Sequence, residues 1–219
     1  MKIAILGGTG NIGKGLALRW AYKHEIIIGS REQSKAEQMR ESYEQILREN
    51  TTKTCNISGV ENDKAVAVAD IVIVAVPYQA LKSLVDSIHP FLTNQVIVSL
   101  VVPMEKQNSY LKYVQPDDGS AAVELKKLVP DTIGVVAAFH NLSAKKLCNL
   151  ESHLDYDVAV CSSDKEAKKK VIKLIEDING IRALDGGELE DAVVIELLTP
   201  FLINLARRNN LGELGVKFV

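Results

Sequence analysis

Short aliphatic and β-branched runs alternate with longer segments of helical period along this chain. Lys2-Ile3-Ala4-Ile5-Leu6 reads as a buried strand, and residues 11–23 as a helix that opens just after glycines. Ile26-Ile27-Ile28 centres a second strand over residues 25–29, and a long polar helix follows over residues 32–49. Residues 71–76 form a third strong strand stopped by Pro77; residues 78–88 are helical, and 95–100 and 133–138 are further strands. Strands that are apolar throughout are buried on both faces, and strands separated by helices pair in parallel. The pattern predicts an α/β fold: a doubly wound, mainly parallel sheet.

Residues 103–119 interrupt that rhythm. They are polar and contain Pro103, Pro116 and Asp117-Asp118-Gly119, so an irregular loop over the sheet edge is expected. Beyond about residue 150 the elements shorten. Residues 157–161 and 181–185 read as short strands, and residues 164–178 as a helix with an apolar stripe at Val171, Leu174, Ile175 and Ile178. The Lys168-Lys169-Lys170 run reads as a solvated face. Residues 188–209 form a long apolar helix, and residues 211–219 a tail. A soft boundary near residue 150 divides a nucleotide-binding domain, 1–150, from a small C-terminal α/β appendix, 151–219.

Composition narrows the function classes. With 26 basic against 28 acidic residues the net charge is -2, which gives no global attraction to nucleic acid or to an anionic membrane. Three well-separated cysteines without a C-x-x-C argue against a disulfide framework and a zinc site, and fit a reducing, cytoplasmic setting. No targeting signal is seen at the N-terminus. The most apolar region, 192–206, is broken by Glu196, Pro200 and Asn204 and falls short of the roughly 20 residues a bilayer span needs. It reads as a core or interface helix, and its apolar face favours a homodimer.

The first strand runs into Gly7-Gly8-Thr9-Gly10-Asn11-Ile12-Gly13, in which Gly8, Gly10 and Gly13 satisfy G-x-G-x-x-G. Between a strand and a helix this is a Rossmann-type dinucleotide loop: Gly8 for the turn, Gly10 for backbone approach to a pyrophosphate, Gly13 for close helix packing. Where an NAD site carries an acid after the second strand, this chain has Gly29-Ser30-Arg31, with Lys35 one turn on. Ser30 can donate to a 2′-phosphate and Arg31 can bind it bidentately, so NADP is the expected cofactor. Glu32 is expected to point away. At the carboxyl edge of the sheet, Val76 and Tyr78 follow the third strand; Tyr78 covers the adenosine ribose or nicotinamide side, or is simply a packed loop tyrosine. Val102 is the candidate nicotinamide wall.

No general acid or base stands out. There is no Tyr-x-x-x-Lys pair, and His140, after the strand at 133–138, reads more readily as structural than as catalytic. The chain as a whole is similar to the archaeal NADP reductases that use reduced coenzyme F420, an 8-hydroxy-5-deazaflavin. The likeness is carried by the glycine loop through Ala17, Gly29-Ser30-Arg31, Leu198-Thr199-Pro200 and the tail Gly212-Glu213-Leu214-Gly215-Val216-Lys217-Phe218. The resemblance implies that Thr9, Gly10, Asn11 and Ile12 meet the pyrophosphate and that Ser30, Arg31 and Lys35 meet the 2′-phosphate. It implies a deazaflavin pocket lined by Leu142, Ala144 and Leu214, and hydride exchange by positioning alone. The alternatives are an NADP-dependent reductase of a small imine or hydroxy acid, and a non-catalytic nucleotide-sensing module. An apolar tail and helix set the first reading apart from both.

Overall fold

The computed structural model describes residues 1–7, 10–50 and 54–219. Five crossovers build a six-stranded parallel sheet from β1 (Lys2–Leu6), β2 (Glu25–Ser30), β3 (Asn56–Glu61), β4 (Ile71–Val74), β5 (Val96–Ser99) and β8 (Gly134–Ala137). Its order is β3-β2-β1-β4-β5-β8. The chain first winds outward from β1 to β3, then returns to β4 on the other side of β1. That reversal opens a crevice at the carboxyl ends of β1 and β4, where open α/β sheets bind ligands.

The apolar strands behave as their composition demands. Ile3 and Ile5 face one core with α1 (Asn11–Trp20), α2 (Gln33–Asn50) and α7 (Lys165–Glu176). Ala4 and Leu6 face the other, with α3 (Asn62–Val68), α4 (Leu81–Ile88) and α5 (Ala121–Leu128). The predicted stripe Val171, Leu174, Ile175 and Ile178 is buried. Lys168, by contrast, is not solvated: only 8% exposed, it reaches Asp185 at 2.7 Å and the Gly187 carbonyl at 2.7 Å. Its aliphatic stem packs while its ammonium finds partners. Trp20 is fully buried; its Nε1 donates to the Leu174 carbonyl of α7 at 3.0 Å, and its ring meets Phe139 edge-on at 5.7 Å.

The expected loop at 103–119 is in part a hairpin, β6 (Met104–Gln107) and β7 (Tyr110–Tyr113), paired antiparallel. Asn108 takes the positive φ of 49° at its tip, a conformation asparagine tolerates. Met-Glu-Lys-Gln has no apolar face because the hairpin stands off the core, and so periodicity did not reveal it. Beyond α6 (Ala144–Cys148), β9 (Tyr156–Val160) and β10 (Ile181–Asp185) pair in parallel across α7, and Ala137 and Cys161 exchange hydrogen bonds that join this ribbon to β8. The chain ends in α8 (Ala192–Arg208) and the tail. Among the described residues no helix is long and apolar enough to cross a membrane.

Candidate functional site

The carboxyl ends of β1, β4, β5 and β8 share one register, Leu6 with Val74, Val74 with Ser99, Ser99 with Ala137. The residues that follow therefore gather at one edge. There Gly7 turns with a φ of 80°, and a Cβ on it would lie 2.4 Å from the Ala75 carbonyl oxygen, so the left-handed turn and the approach to β4 both require glycine. A cleft of about 1190 Å³ opens over this edge. Of the residues expected from sequence, Gly10, Ile12, Val76, Val102, Leu142, Ala144 and Leu214 line it, together with His140. Gly8 and Thr9 lie outside the described residues.

One end of the cleft suits phosphate. Ser120, Ser143 and Asp164 cap α5, α6 and α7 with side-chain acceptors, whereas α1, like α4 and α8, starts with no side-chain cap and no acid in its first turn; of these three, α1 is the one that opens beside the glycine loop. Its first amides have no intrahelical partner. Gly10, just before them, has space over it: among the described residues a Cβ there would meet only the Gly7 oxygen at 3.5 Å, and Gly10 itself lines the cleft. An uncapped, positive helix end beneath a Cβ-free cradle fits a dinucleotide pyrophosphate. Gly13 is buried within α1, and Gly15 admits a second close contact of that helix, where a Cβ would lie 2.5 Å from that of Leu147 in α6. The Asn11 carbonyl accepts from Cys148 Sγ at 3.1 Å, which fixes α6 to the loop.

Ser30, Arg31 and Lys35 stand together at the end of β2, beside this cradle and outside the cleft lining. Arg31 is exposed and pairs with no group among the described residues. The Glu32 carboxylate holds Lys35 Nζ at 2.6 Å. Both groups are 58% exposed, so the pair is weak and an incoming phosphate dianion can displace it. Tyr78 takes the packed place among its two readings: its hydroxyl donates to Glu124 on α5 at 2.6 Å and its ring packs against the core that Ala4 and Leu6 share, while Pro77 lines the cleft. Burial and Glu124 push its phenol up to about 12.

The other end is apolar and strapped from a distance. Phe139 takes a φ of 71°, unusual for a non-glycine, and turns the chain after β8 so that His140 to Leu142 enter the cleft. Burial pushes His140 down to about 4, and neither ring nitrogen has a hydrogen-bond partner among the described residues. The imidazole is neutral at any ordinary working pH. Thr199 of α8 donates to the His140 carbonyl at 2.5 Å. The tail motif explains itself in contacts. Glu213 accepts from Ser143 Oγ at 2.6 Å and Lys145 N at 2.7 Å; Gly215 lies so close to the Tyr156 ring that a Cβ would be 2.3 Å from Cε1; Lys217 reaches Asp155 at 2.6 Å. Phe218 N donates to Asp157, a fully buried carboxylate held below its usual range chiefly by Arg182. Leu214 is thereby fixed in the wall.

Sequence reasoning missed Glu196 and Asn204, and gave Thr199 no role. Glu196 is fully buried and accepts from Tyr113 Oη and from the amides of Ala121 and Ala122 at the start of α5. Burial raises it to about 7 against those three donors. The only available signal was a lone acid in an apolar helix.

The chain is similar to known proteins over nearly its full length. The family described as NADP oxidoreductase, coenzyme F420-dependent, matches residues 2–103. The F420-dependent NADP reductase of Methanocaldococcus jannaschii is 40% identical over 207 residues, 94% of this chain and 92% of that protein. The F420-dependent NADP reductase of Methanothermobacter marburgensis is 37% identical over 221 residues, 99% and 97% of the two chains. A crystal structure from Arthrobacter sp. FB24 has the same fold, with a TM-score of 0.82 at 22% identity over 100% of this chain and 99% of that one. At these identities and this coverage, the chain belongs to the family of F420-dependent NADP reductases.

Proposed function

We propose that this protein transfers hydride between reduced coenzyme F420 and NADP, reversibly, by holding the two coenzymes face to face in the cleft. The observation that carries the reading is the pairing of an uncapped helix N-terminus at one end with an apolar wall and a neutral histidine at the other. When bound, the coenzymes supply the redox chemistry themselves, one hydride passing between C5 of the deazaflavin and C4 of the nicotinamide, with the accompanying proton exchanged with water. The chain's part is binding, orientation and exclusion of water. The α1 amides around Asn11 and Ile12 hold the pyrophosphate, and Ser30, Arg31 and Lys35 the 2′-phosphate. Val76, Val102, Leu142, Ala144 and Leu214 keep the reacting region dry, and Thr199 holds the His140 segment in place. A site that aligns two reactants needs no proton donor of its own to gain a large advantage.

Residues 1–150 are proposed to carry the NADP site, and 151–219 to complete the deazaflavin wall and a homodimer contact. Val194, Leu197, Phe201 and Leu205, on one face of α8, are 61%, 44%, 59% and 37% exposed, which supports a partner there. Three free thiols support a reducing, cytoplasmic setting. The test of activity is direct: mixing the protein with NADPH and oxidised coenzyme F420 bleaches the long-wavelength absorbance of the deazaflavin. Failure to bleach at protein concentrations that bind both coenzymes overturns the proposal.

A further inference from the structure

Four of the seven arginines are occupied. Arg19 binds the Leu147 and Asn149 carbonyls, Arg40 and Arg48 bind Glu44, and Arg182 binds Asp157. Arg31, Arg207 and Arg208 have no partner among the described residues. Arg31 stands at the 2′-phosphate end of the site. The other two stand at the far end, where α8 finishes.

The cleft follows α8 along Thr199, Leu202, Ile203 and Ala206 to Arg207. Past that point lies a smaller notch of about 340 Å³, lined by Ser109 and Tyr110 of the hairpin and by Asn204, Arg207 and Arg208. Arg207 belongs to both walls. The notch has firm sides: Asn204 Nδ2 donates to the Leu111 carbonyl at 2.6 Å and Asn204 Oδ1 accepts from the Leu111 amide at 2.8 Å, tying α8 to β7. No acid lines it. The one carboxylate on the adjoining cleft wall, Glu213, is already taken up by Ser143 and the Lys145 amide. Arginines at a helix C-terminus are favoured by the helix dipole. The dipole does not account for two guanidinium groups framing an acid-free hollow that continues an apolar cleft.

We propose that this notch is an anion subsite, which takes the phosphodiester and carboxylates of the deazaflavin's side chain while the apolar cleft takes its ring. The inference rests on reading the cleft as the deazaflavin site. Residues 199 to 207 span about 12 Å of helix, so a ligand whose ring lies by Thr199 reaches Arg207 with a side chain of that length. Guanidinium forks match phosphate and carboxylate oxygens. Binding remote from the reacting carbons then fixes the ring without adding polar groups to the dry part of the site.

The experiment is a fluorescence titration of two ligands, the complete coenzyme and the same deazaflavin carrying only its ribityl chain. The wild type, Arg207→Ala/Arg208→Ala and Arg207→Lys/Arg208→Lys are compared, with NADP affinity and thermal melting as controls. The wild type binds the complete coenzyme about tenfold or more tightly than the truncated one, the scale of a charge-assisted hydrogen bond, and added salt narrows the gap. The double alanine variant loses the gap by weakening the complete coenzyme alone, and the lysine variant restores part of it. Inorganic phosphate competes with the complete coenzyme and not with the truncated one. Equal weakening of both ligands, unchanged affinity for the complete coenzyme, or a fall in NADP affinity instead would each overturn the subsite. A wild type that binds neither deazaflavin would remove the reading of the cleft, and the subsite with it.

Discussion

On the proposed reading of the site, cofactor choice rests on a few atoms at the end of β2. Arg31 is free to bind, and Lys35 is held only by an exposed Glu32. Arg31→Ala therefore weakens NADPH by roughly 1.5–3 kcal/mol, the range for a hydrogen bond to a charged group, and leaves NADH nearly unchanged. Equal losses for both nucleotides, measured by calorimetry, would instead assign Arg31 a packing role. At the reacting end the contrast lies between His140 and Leu214. Burial holds His140 near 4, so it stays neutral and the rate of hydride transfer shows no inflection at the ordinary histidine pKa of about 6.5. His140→Gln costs much less than the 10²–10⁴-fold typical of a lost general acid or base. Leu214→Asp costs far more, because a carboxylate either draws water into the cleft or is buried unpaired. Single-turnover rates with NADP already bound separate these effects from affinity, and the reverse ranking would make His140 catalytic.

Between elements, Glu196 is the tie that matters. It joins α8, the N-terminus of α5 and the β6–β7 hairpin through three accepted hydrogen bonds. Its folded pKa of about 7 lies above the usual 4.5, so between those values the folded state binds more protons than the unfolded state. Stability contributed by this group is complete below about 4.5 and declines as pH rises through 7, by about 3 kcal/mol for a shift of this size. Urea unfolding of wild type against Glu196→Gln from pH 4.5 to 8 reads the effect as a difference that grows with pH; a flat difference would refute it. The sheet was legible because β1, β4 and β5 are buried on both faces and apolar at every position but Lys2 and Ser99 at their ends. The hairpin, β3 and α5 were not, since their residues answer to partners far along the chain. The glycine loop at the proposed phosphate end was legible because a missing Cβ is written in the sequence. The strap was legible only as a motif, because Ser143 and Glu213 meet across 70 residues and Thr199 and His140 across 59.

Taken whole, the molecule leaves an apolar stripe on α8 exposed among the described residues. Val194, Leu197 and Phe201 recur at helical spacing on the outer face of α8. If two copies bury that face, Phe201→Asp converts a dimer into a monomer in sedimentation at micromolar concentration while its melting temperature as a monomer holds; a wild-type monomer at the same concentration would end the idea. The bond from Trp20 to Leu174 has a different consequence, in time. The two residues are 154 positions apart, and Trp20 is the single tryptophan. Parallel pairing and contacts of such separation make folding slow, since long loops must close before they are rewarded. Helices signal early in circular dichroism, whereas this one fluorophore reaches its native emission only when α7 has docked on α1 and the Phe139 turn has formed. Refolding followed by tryptophan emission thus acts as a clock for the moment when the last third of the chain closes over the first.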